Sequence, residues 1–203
     1  SNSSAASDVY KRQQSGVLKS TAAATAVAEA LTDSSYDGVY LNITPSAENG
    51  DALAAFVQAL RAAVPEKKLY VAASAPARRE AIPDYQALGK AADRIVLQVS
   101  GHEDTDGAVP VYAMEPLETV YYALSALNDQ IPGEKLALLL RAEGHGRKGT
   151  GKPTAFSGDT VAALEAKGRT YYSDRYACAY LETKDTVVWY LNEKALEARQ
   201  QLL

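Results

Sequence analysis

The feature that most constrains the fold is an alternation of short apolar runs with segments of helical periodicity. Residues 68–75 and 94–100 have the composition of buried strands, and residues 136–142 are almost wholly aliphatic. Around these runs, apolar residues recur at helical spacing over 53–60 and 117–127. Strands that alternate with helices are typical of parallel β/α units. We therefore predict an α/β fold with a parallel sheet.

Composition limits the classes of function. The chain has 203 residues, of which 47% are apolar, and a formal net charge of -4. This length and apolar content predict one globular domain over 21–203, preceded by a tail or linker over 1–20. The acidic balance argues against a nucleic-acid partner, and no apolar run is long enough to cross a bilayer. His102 and His145, which we expect in loops, lack metal-type spacing, so we predict no metal and no cofactor.

Residues 146–152, with the sequence GRKGTGK, match the first positions of a phosphate-binding P-loop. Pro153 follows where the motif needs a hydroxyl residue, and it offers no amide proton. We therefore expect no phosphate site here.

Residues 36–45, with the sequence YDGVYLNITP, have the two-residue period of a strand with two different faces. Aliphatic side chains alternate with Tyr40, Asn42 and Thr44. The pattern resembles the fourth barrel strand of family-18 glycoside hydrolases, the chitinases and related enzymes that cut cell-wall amino sugars. Asp37, Gly38, Val39 and Leu41 agree with the family pattern.

The resemblance also implies a loss of catalytic groups. Tyr40 and Asn42 stand where the family has its two inner aspartates, and Thr44 stands where it has the proton-donating glutamate. Glycoside hydrolysis needs a carboxylic acid to protonate the leaving oxygen. A threonine hydroxyl is far too weak an acid near neutral pH. The resemblance thus implies a degenerate active site with no catalytic residue in the family positions.

Two further segments resemble active-site strands of the family. Residues 98–101 replace the Met-x-Tyr-Asp motif of the sixth strand. Trp189 matches the tryptophan that forms the sugar-binding floor on the eighth strand, although Leu191-Asn192 replaces the acidic pair that commonly follows. Without the resemblance, a single tryptophan in a strand is more often a core residue. The glycan-binding residues implied are Trp189, Tyr40, Asn42, Gln98 and Tyr190.

The order of elements resembles the second half of a (β/α)8 barrel, so the implied fold is a partial or incomplete barrel of the TIM type. An opened parallel sheet leaves unpaired backbone groups along residues 37–43. We expect this edge to be covered by self-association or by missing segments of a parent protein.

Two hypotheses of function remain. The favoured one is a catalytically inactive family-18-like domain that binds a chitin- or peptidoglycan-like glycan, or serves as a structural and interaction module. Its expected location is extracellular or in the cell envelope, within a larger wall-associated protein. The alternative is an active glycosidase with a relocated general acid, for which Glu143 and Asp104 are the candidates.

Overall fold

A computed structural model describes residues 16–18, 21–43, 45–46, 49–74 and 85–203. The chain divides into two compact units: unit 1 comprises residues 1–97 and 125–137, and unit 2 comprises residues 98–124 and 138–203. Of the predicted tail, residues 16–18 are helical and the remainder lies outside the described residues. The organisation as one domain over 21–203 stays a prediction.

Unit 1 consists of helices and strands that alternate along the chain. The helices are α1 (Thr21–Thr32), α2 (Gly50–Ala63) and α3 (Gln86–Ala91), and the strands are β1 (Gly38–Leu41), β2 (Lys68–Ser74), β3 (Arg94–Gln98) and β6 (Leu136–Leu138). They form a four-stranded sheet in the order β1-β2-β3-β6, and β1 pairs with β2 in parallel. The prediction of an α/β fold is confirmed.

The helical spacing of apolar residues in α2 explains its buried face. Leu53, Val57 and Leu60 are fully buried. Arg61, at the end of the same helix, donates hydrogen bonds to three backbone carbonyls and to the carboxylate of Asp93. Burial opposes ionisation of Asp93, but the Leu69 amide and the Arg61 guanidinium lower its pKa below the usual value.

Unit 2 contains mostly antiparallel structure. Its elements are β4 (His102–Asp104), β5 (Val111–Ala113), β7 (Gly144–Lys148), β8 (Thr154–Phe156), α5 (Gly158–Glu165), β9 (Arg169–Ser173), β10 (Cys178–Glu182), β11 (Thr186–Tyr190) and α6 (Glu193–Gln200); α4 (Leu117–Asn128) begins in this unit. Strands β4 and β5 form a hairpin. The other strands form an antiparallel sheet in the order β8-β7-β11-β10-β9.

The two faces of this antiparallel sheet are buried by different partners, as the alternation of side chains along strands requires. Leu181 and Val188 on one face cluster with Val161 of α5. Cys178 and Trp189 on the other face cluster with Tyr112 of β5. Strands β10 and β11 pair directly with each other across the turn at residues 183–185.

Beyond residue 138 the structure departs from the predicted parallel units. The aliphatic strand predicted over 136–142 ends at Leu138. Trp189 lies in β11, an interior strand of the antiparallel sheet, so its assignment to an eighth barrel strand is wrong. The strands of the described residues form three separate sheets with no closed barrel, and the partial-barrel prediction is not confirmed.

The P-loop-like segment forms a β-hairpin. Gly146 and Lys148 belong to β7, Gly149 adopts a positive φ of 57° in the turn, and β8 follows. A phosphate-binding loop instead leads into a helix whose amides face the phosphate. The expectation of no P-loop at this position agrees with this geometry.

Candidate functional site

The face of β1 that resembles the family's catalytic strand presents aromatic and amide side chains. Tyr40 is 39% exposed and pairs in register with Tyr70 of β2, which is 38% exposed. Asn42, just beyond β1, is also exposed, whereas Thr44 lies outside the described residues. Exposed tyrosines on neighbouring strands lie close enough to act together on a ligand. We call Tyr40, Tyr70 and Asn42 the β1 face.

Trp189 is held in the core of unit 2. Its indole is 3% exposed, and Nε1 donates a hydrogen bond of 3.0 Å to the Pro110 carbonyl. The ring stacks on Tyr180 with centroids 4.6 Å apart, and Tyr176 meets it edge to face. A ring enclosed in this way offers no open face to a sugar. The core interpretation of Trp189 therefore fits the structure better than the role of a sugar-binding floor.

Tyr190 and Gln98 occupy different settings. Tyr190 is 9% exposed and belongs to the cluster under α5. Its hydroxyl donates a hydrogen bond to Glu165, and burial together with that carboxylate raises the pKa of Tyr190. Tyr190 thus packs mainly as a core residue. Gln98 ends β3 and is partly exposed.

The two rival acids lie in separate places. Glu143 is exposed and lines a cavity of about 270 Å³ together with Glu165 and Tyr190. Asp104 is exposed in β4, where its carboxylate accepts a hydrogen bond from the Asp106 amide. Both carboxylates are open to solvent, and neither is enclosed by apolar side chains as a buried acid would be.

A second cavity, of about 350 Å³, lies between the β4–β5 hairpin and the neighbouring strand β7 in unit 2. We call it the β4 pocket; His102, Glu103, Tyr112, Arg141 and His145 are among its walls. Both histidines lie in strands, so their predicted placement in loops is wrong. Each also has a partner, because His145 bonds Glu103 at 3.0 Å and His102 stacks on Tyr176.

Glu115 is a buried acid beside the β4 pocket. Its side chain is 2% exposed, and its Oε1 accepts a hydrogen bond of 2.6 Å from Nε of Arg141. Burial raises the pKa of Glu115 although the Arg141 guanidinium opposes the shift. Its backbone has a positive φ of 38°, which is strained for a residue with a side chain. Strain of this kind is often stored near functional sites.

Arg199 fixes the backbone around Glu115. The guanidinium is fully buried and donates to the carbonyl oxygens of Glu115 at 2.6 and 2.9 Å and of Ala177 at 2.7 Å. Ala177 also has a positive φ, of 49°. Arg199 therefore holds both of the non-glycine residues that the described chain places in this conformation.

Sequence patterns did not single out Glu115, Tyr112, Arg141 or Arg199. A weak signal existed at Arg141, a charged residue directly after an aliphatic run. Glu115 and Arg199 lie 84 residues apart in the chain, so no local pattern links them. Their association depends on tertiary packing.

The described residues were searched for metal-binding clusters and for membrane-spanning helices. They contain no group of three histidine, cysteine or acidic side chains arranged to hold a metal ion. Among them there is also no helix with the length and apolar content needed to span a bilayer.

Comparison with known proteins places this geometry in a family. Residues 5–202 match the sequence profile of the glycosyl hydrolases family 18. The chain belongs to this family. No curated protein sequence matches the chain.

Solved structures share the fold at low identity. The spore cortex-lytic enzyme SleL of Bacillus cereus matches with a TM-score of 0.73 and 16% identity, over 92% of this chain and 48% of that one. A family-18 chitinase of Cycas revoluta, solved in complex with (GlcNAc)3, gives a TM-score of 0.74 and 14% identity, over 93% and 68% of the chains. The chitinase-like agglutinin of Robinia pseudoacacia gives 0.69 and 15%, over 93% and 68%.

The chain spans about half to two thirds of the length of the similar structures. At these identities the likeness establishes the fold and leaves the activity to be argued from residues.

Proposed function

We propose that this chain is a family-18 domain that binds polymers of N-acetylated amino sugars and does not cleave them. The observation that carries this proposal is the β1 face, where Tyr40 and Asn42 stand at the positions of the family's inner aspartates. The rings of Tyr40 and Tyr70 are exposed side by side. Aromatic faces hold the C–H side of sugar rings while their hydroxyls stay hydrated.

The absence of turnover follows from the chemistry of the same positions. Protonation of a glycosidic oxygen needs a carboxylic acid at the cleavage point. The described residues of β1, Gly38–Leu41, supply no carboxylate, and the family's acid position is Thr44 in the sequence. Among the structural relatives, the protein of Robinia pseudoacacia is named a chitinase-like agglutinin, and the Cycas revoluta chitinase was solved in complex with (GlcNAc)3. A sugar-binding role therefore fits this fold.

Binding and cleavage are tested together with insoluble chitin and with peptidoglycan. We expect the protein to sediment with one of these polymers in a saturable way and to release no reducing ends. Tyr40→Ala and Tyr70→Ala should each weaken binding by about tenfold, as expected when one stacking ring is lost. Tyr121→Ala is the matched control, because Tyr121 is a 54% exposed ring on α4.

The alternative of an active glycosidase has its own decisive result. Release of reducing ends by the wild-type protein, abolished by Glu143→Gln or Asp104→Asn, would replace the binding proposal. Retention of the polymer by the Tyr40→Ala and Tyr70→Ala variants at wild-type strength would instead remove the β1 face from the site.

The position of β1 in its sheet supports a second proposal, self-association or coverage by a parent protein. In the sheet of the described residues β1 is the end strand, and an uncovered end strand is a template for pairing. We expect a dimer in sedimentation-velocity experiments. A monomer at all concentrations would contradict self-association. We further propose a wall-associated, extracellular setting, in keeping with the proposed glycan.

A further inference from the structure

The β4 pocket brings side chains of opposite charge into one small cavity. Arg141 supplies a guanidinium, Glu103 supplies a carboxylate, and the volume of about 350 Å³ lies at the small end of the range for ligand pockets. All the lining residues belong to unit 2. The cavity therefore has the size and polarity of a site for a small polar molecule.

Arg141 is presented to the pocket in a fixed orientation. Nε is bonded to the buried Glu115, whereas the Arg141 side chain itself is 40% exposed. A Cβ at Gly101 would lie 3.4 Å from the Nη2 atom of Arg141, so the glycine keeps the space beside that atom open. A guanidinium anchored through Nε retains its two terminal nitrogens, which match the two oxygens of a carboxylate.

Tyr112 adds an unsatisfied group to the same wall. The residue is 1% exposed, and its hydroxyl has no hydrogen-bond partner among the described residues. A buried hydroxyl without a partner is costly to a fold, and such groups call for an explanation. This hydroxyl belongs to a residue that lines the β4 pocket.

Glu103 decides which anion fits. Its carboxylate, bonded to His145 Nε2 at 3.0 Å and 56% exposed, would repel an anion that has no proton to donate. A neutral sugar could donate hydroxyl hydrogen bonds to Glu103, but it would offer no carboxylate to the two terminal nitrogens of Arg141. A molecule that carries both a carboxylate and hydroxyl groups complements both sides.

We propose that the β4 pocket binds a sugar acid, with its carboxylate on Arg141 and a hydroxyl donating to Glu103. Glu115 is a positioning residue, which orients the guanidinium without touching the ligand. All residues of the pocket belong to unit 2 and those of the β1 face to unit 1, so the two proposals are tested on different residues.

The test uses the full chain and the matched probes D-glucuronate and D-glucose, which differ by a carboxylate against a hydroxymethyl group. Titration is followed by NMR shifts of the backbone amides of the pocket residues. We expect glucuronate to bind at least about tenfold more tightly than glucose, because the hydrogen bonds to Arg141 are charge-assisted. The largest shifts should fall at Glu103 and Arg141.

Variants assign the roles. Arg141→Met should abolish the preference for glucuronate over glucose, and Arg141→Lys should retain only part of that preference because lysine lacks the paired terminal nitrogens of arginine. Glu115→Gln keeps an acceptor for Nε and should retain the preference that Glu115→Ala loses. Arg169→Met, at an exposed arginine of the same unit, is the control.

Several results would overturn the proposal. They are equal affinity for glucuronate and glucose, tighter binding of inorganic phosphate or of glycine than of glucuronate, and an unchanged preference in Arg141→Met. Fluorescence of Trp189, the only tryptophan of the chain, verifies that unit 2 is folded in each variant. If Arg141→Met does not fold, Arg141→Lys provides the test. An unchanged preference for glucuronate in Arg141→Lys would exclude recognition by the paired terminal nitrogens of Arg141.

Discussion

Replacing Arg199 with methionine removes the buried guanidinium that holds unit 2 together, while it keeps much of the side-chain volume. Arg199 is fully buried and donates to the carbonyl oxygens of Glu115 and Ala177, the two residues with positive φ. It also donates to the Met114 carbonyl and to Sγ of Cys178. The substitution therefore deprives several backbone groups of a charged donor at once.

The magnitude follows from the carbonyls of Glu115 and Ala177. Each buried acceptor left without its donor costs about 1–3 kcal/mol, so these two groups alone predict a loss of about 2–6 kcal/mol in the free energy of unfolding. A small domain is stable by only about 5–15 kcal/mol. The Arg199→Met variant is therefore expected to be strongly destabilised in unit 2.

Urea unfolding monitored by Trp189 fluorescence measures this loss of stability. Trp189 lies in unit 2 and packs in the same buried cluster as Cys178, a contact of Arg199. Arg169→Met should change the midpoint little, since surface substitutions usually alter stability by less than about 0.5 kcal/mol. A loss smaller than about 1 kcal/mol in Arg199→Met would refute the idea that this guanidinium maintains the strained backbone.

The remaining predictions concern one ion pair and one close backbone approach. Asp93→Asn should destabilise the chain by about 1 kcal/mol at pH 7, because Asp93 and Arg61 are partly buried and form an ion pair. The folded-state pKa of Asp93 is lowered, so this contribution exists above its unfolded pKa and disappears as pH falls through the folded value. Urea unfolding followed by circular dichroism at pH 7 and pH 2 should show the difference shrink, whereas a constant difference, or an equal effect of Asp129→Asn, would contradict it. Gly146→Ala should cost about 1–3 kcal/mol, since its Cβ would overlap a carbonyl of β11, whereas Gly50→Ala has open space; equal midpoints for the two variants in thermal unfolding would refute the overlap.

Local patterns predicted the elements of unit 1 well. The apolar spacing of Leu53, Val57 and Leu60 indicated α2, and alternation over residues 37–43 indicated β1. These signals depend on which face of an element is buried, and that is written into the local sequence.

The same patterns failed where partners decided the outcome. A run such as residues 186–191 predicts a strand but does not state whether its neighbours are parallel, and the hairpin turns place β11 in an antiparallel sheet. Trp189 consequently became a core residue. The β4 pocket was missed for a related reason, because Glu115, Arg141 and Arg199 meet only through long-range contacts.

The central claim is that the chain binds an amino-sugar polymer without cutting it. The most direct measurement incubates the protein with radiolabelled chitin and peptidoglycan and quantifies both bound protein and soluble fragments over time. The account predicts saturable binding that Tyr40→Ala weakens, with no soluble fragments above the buffer control. Fragments that accumulate in proportion to enzyme and vanish in Glu143→Gln would contradict it.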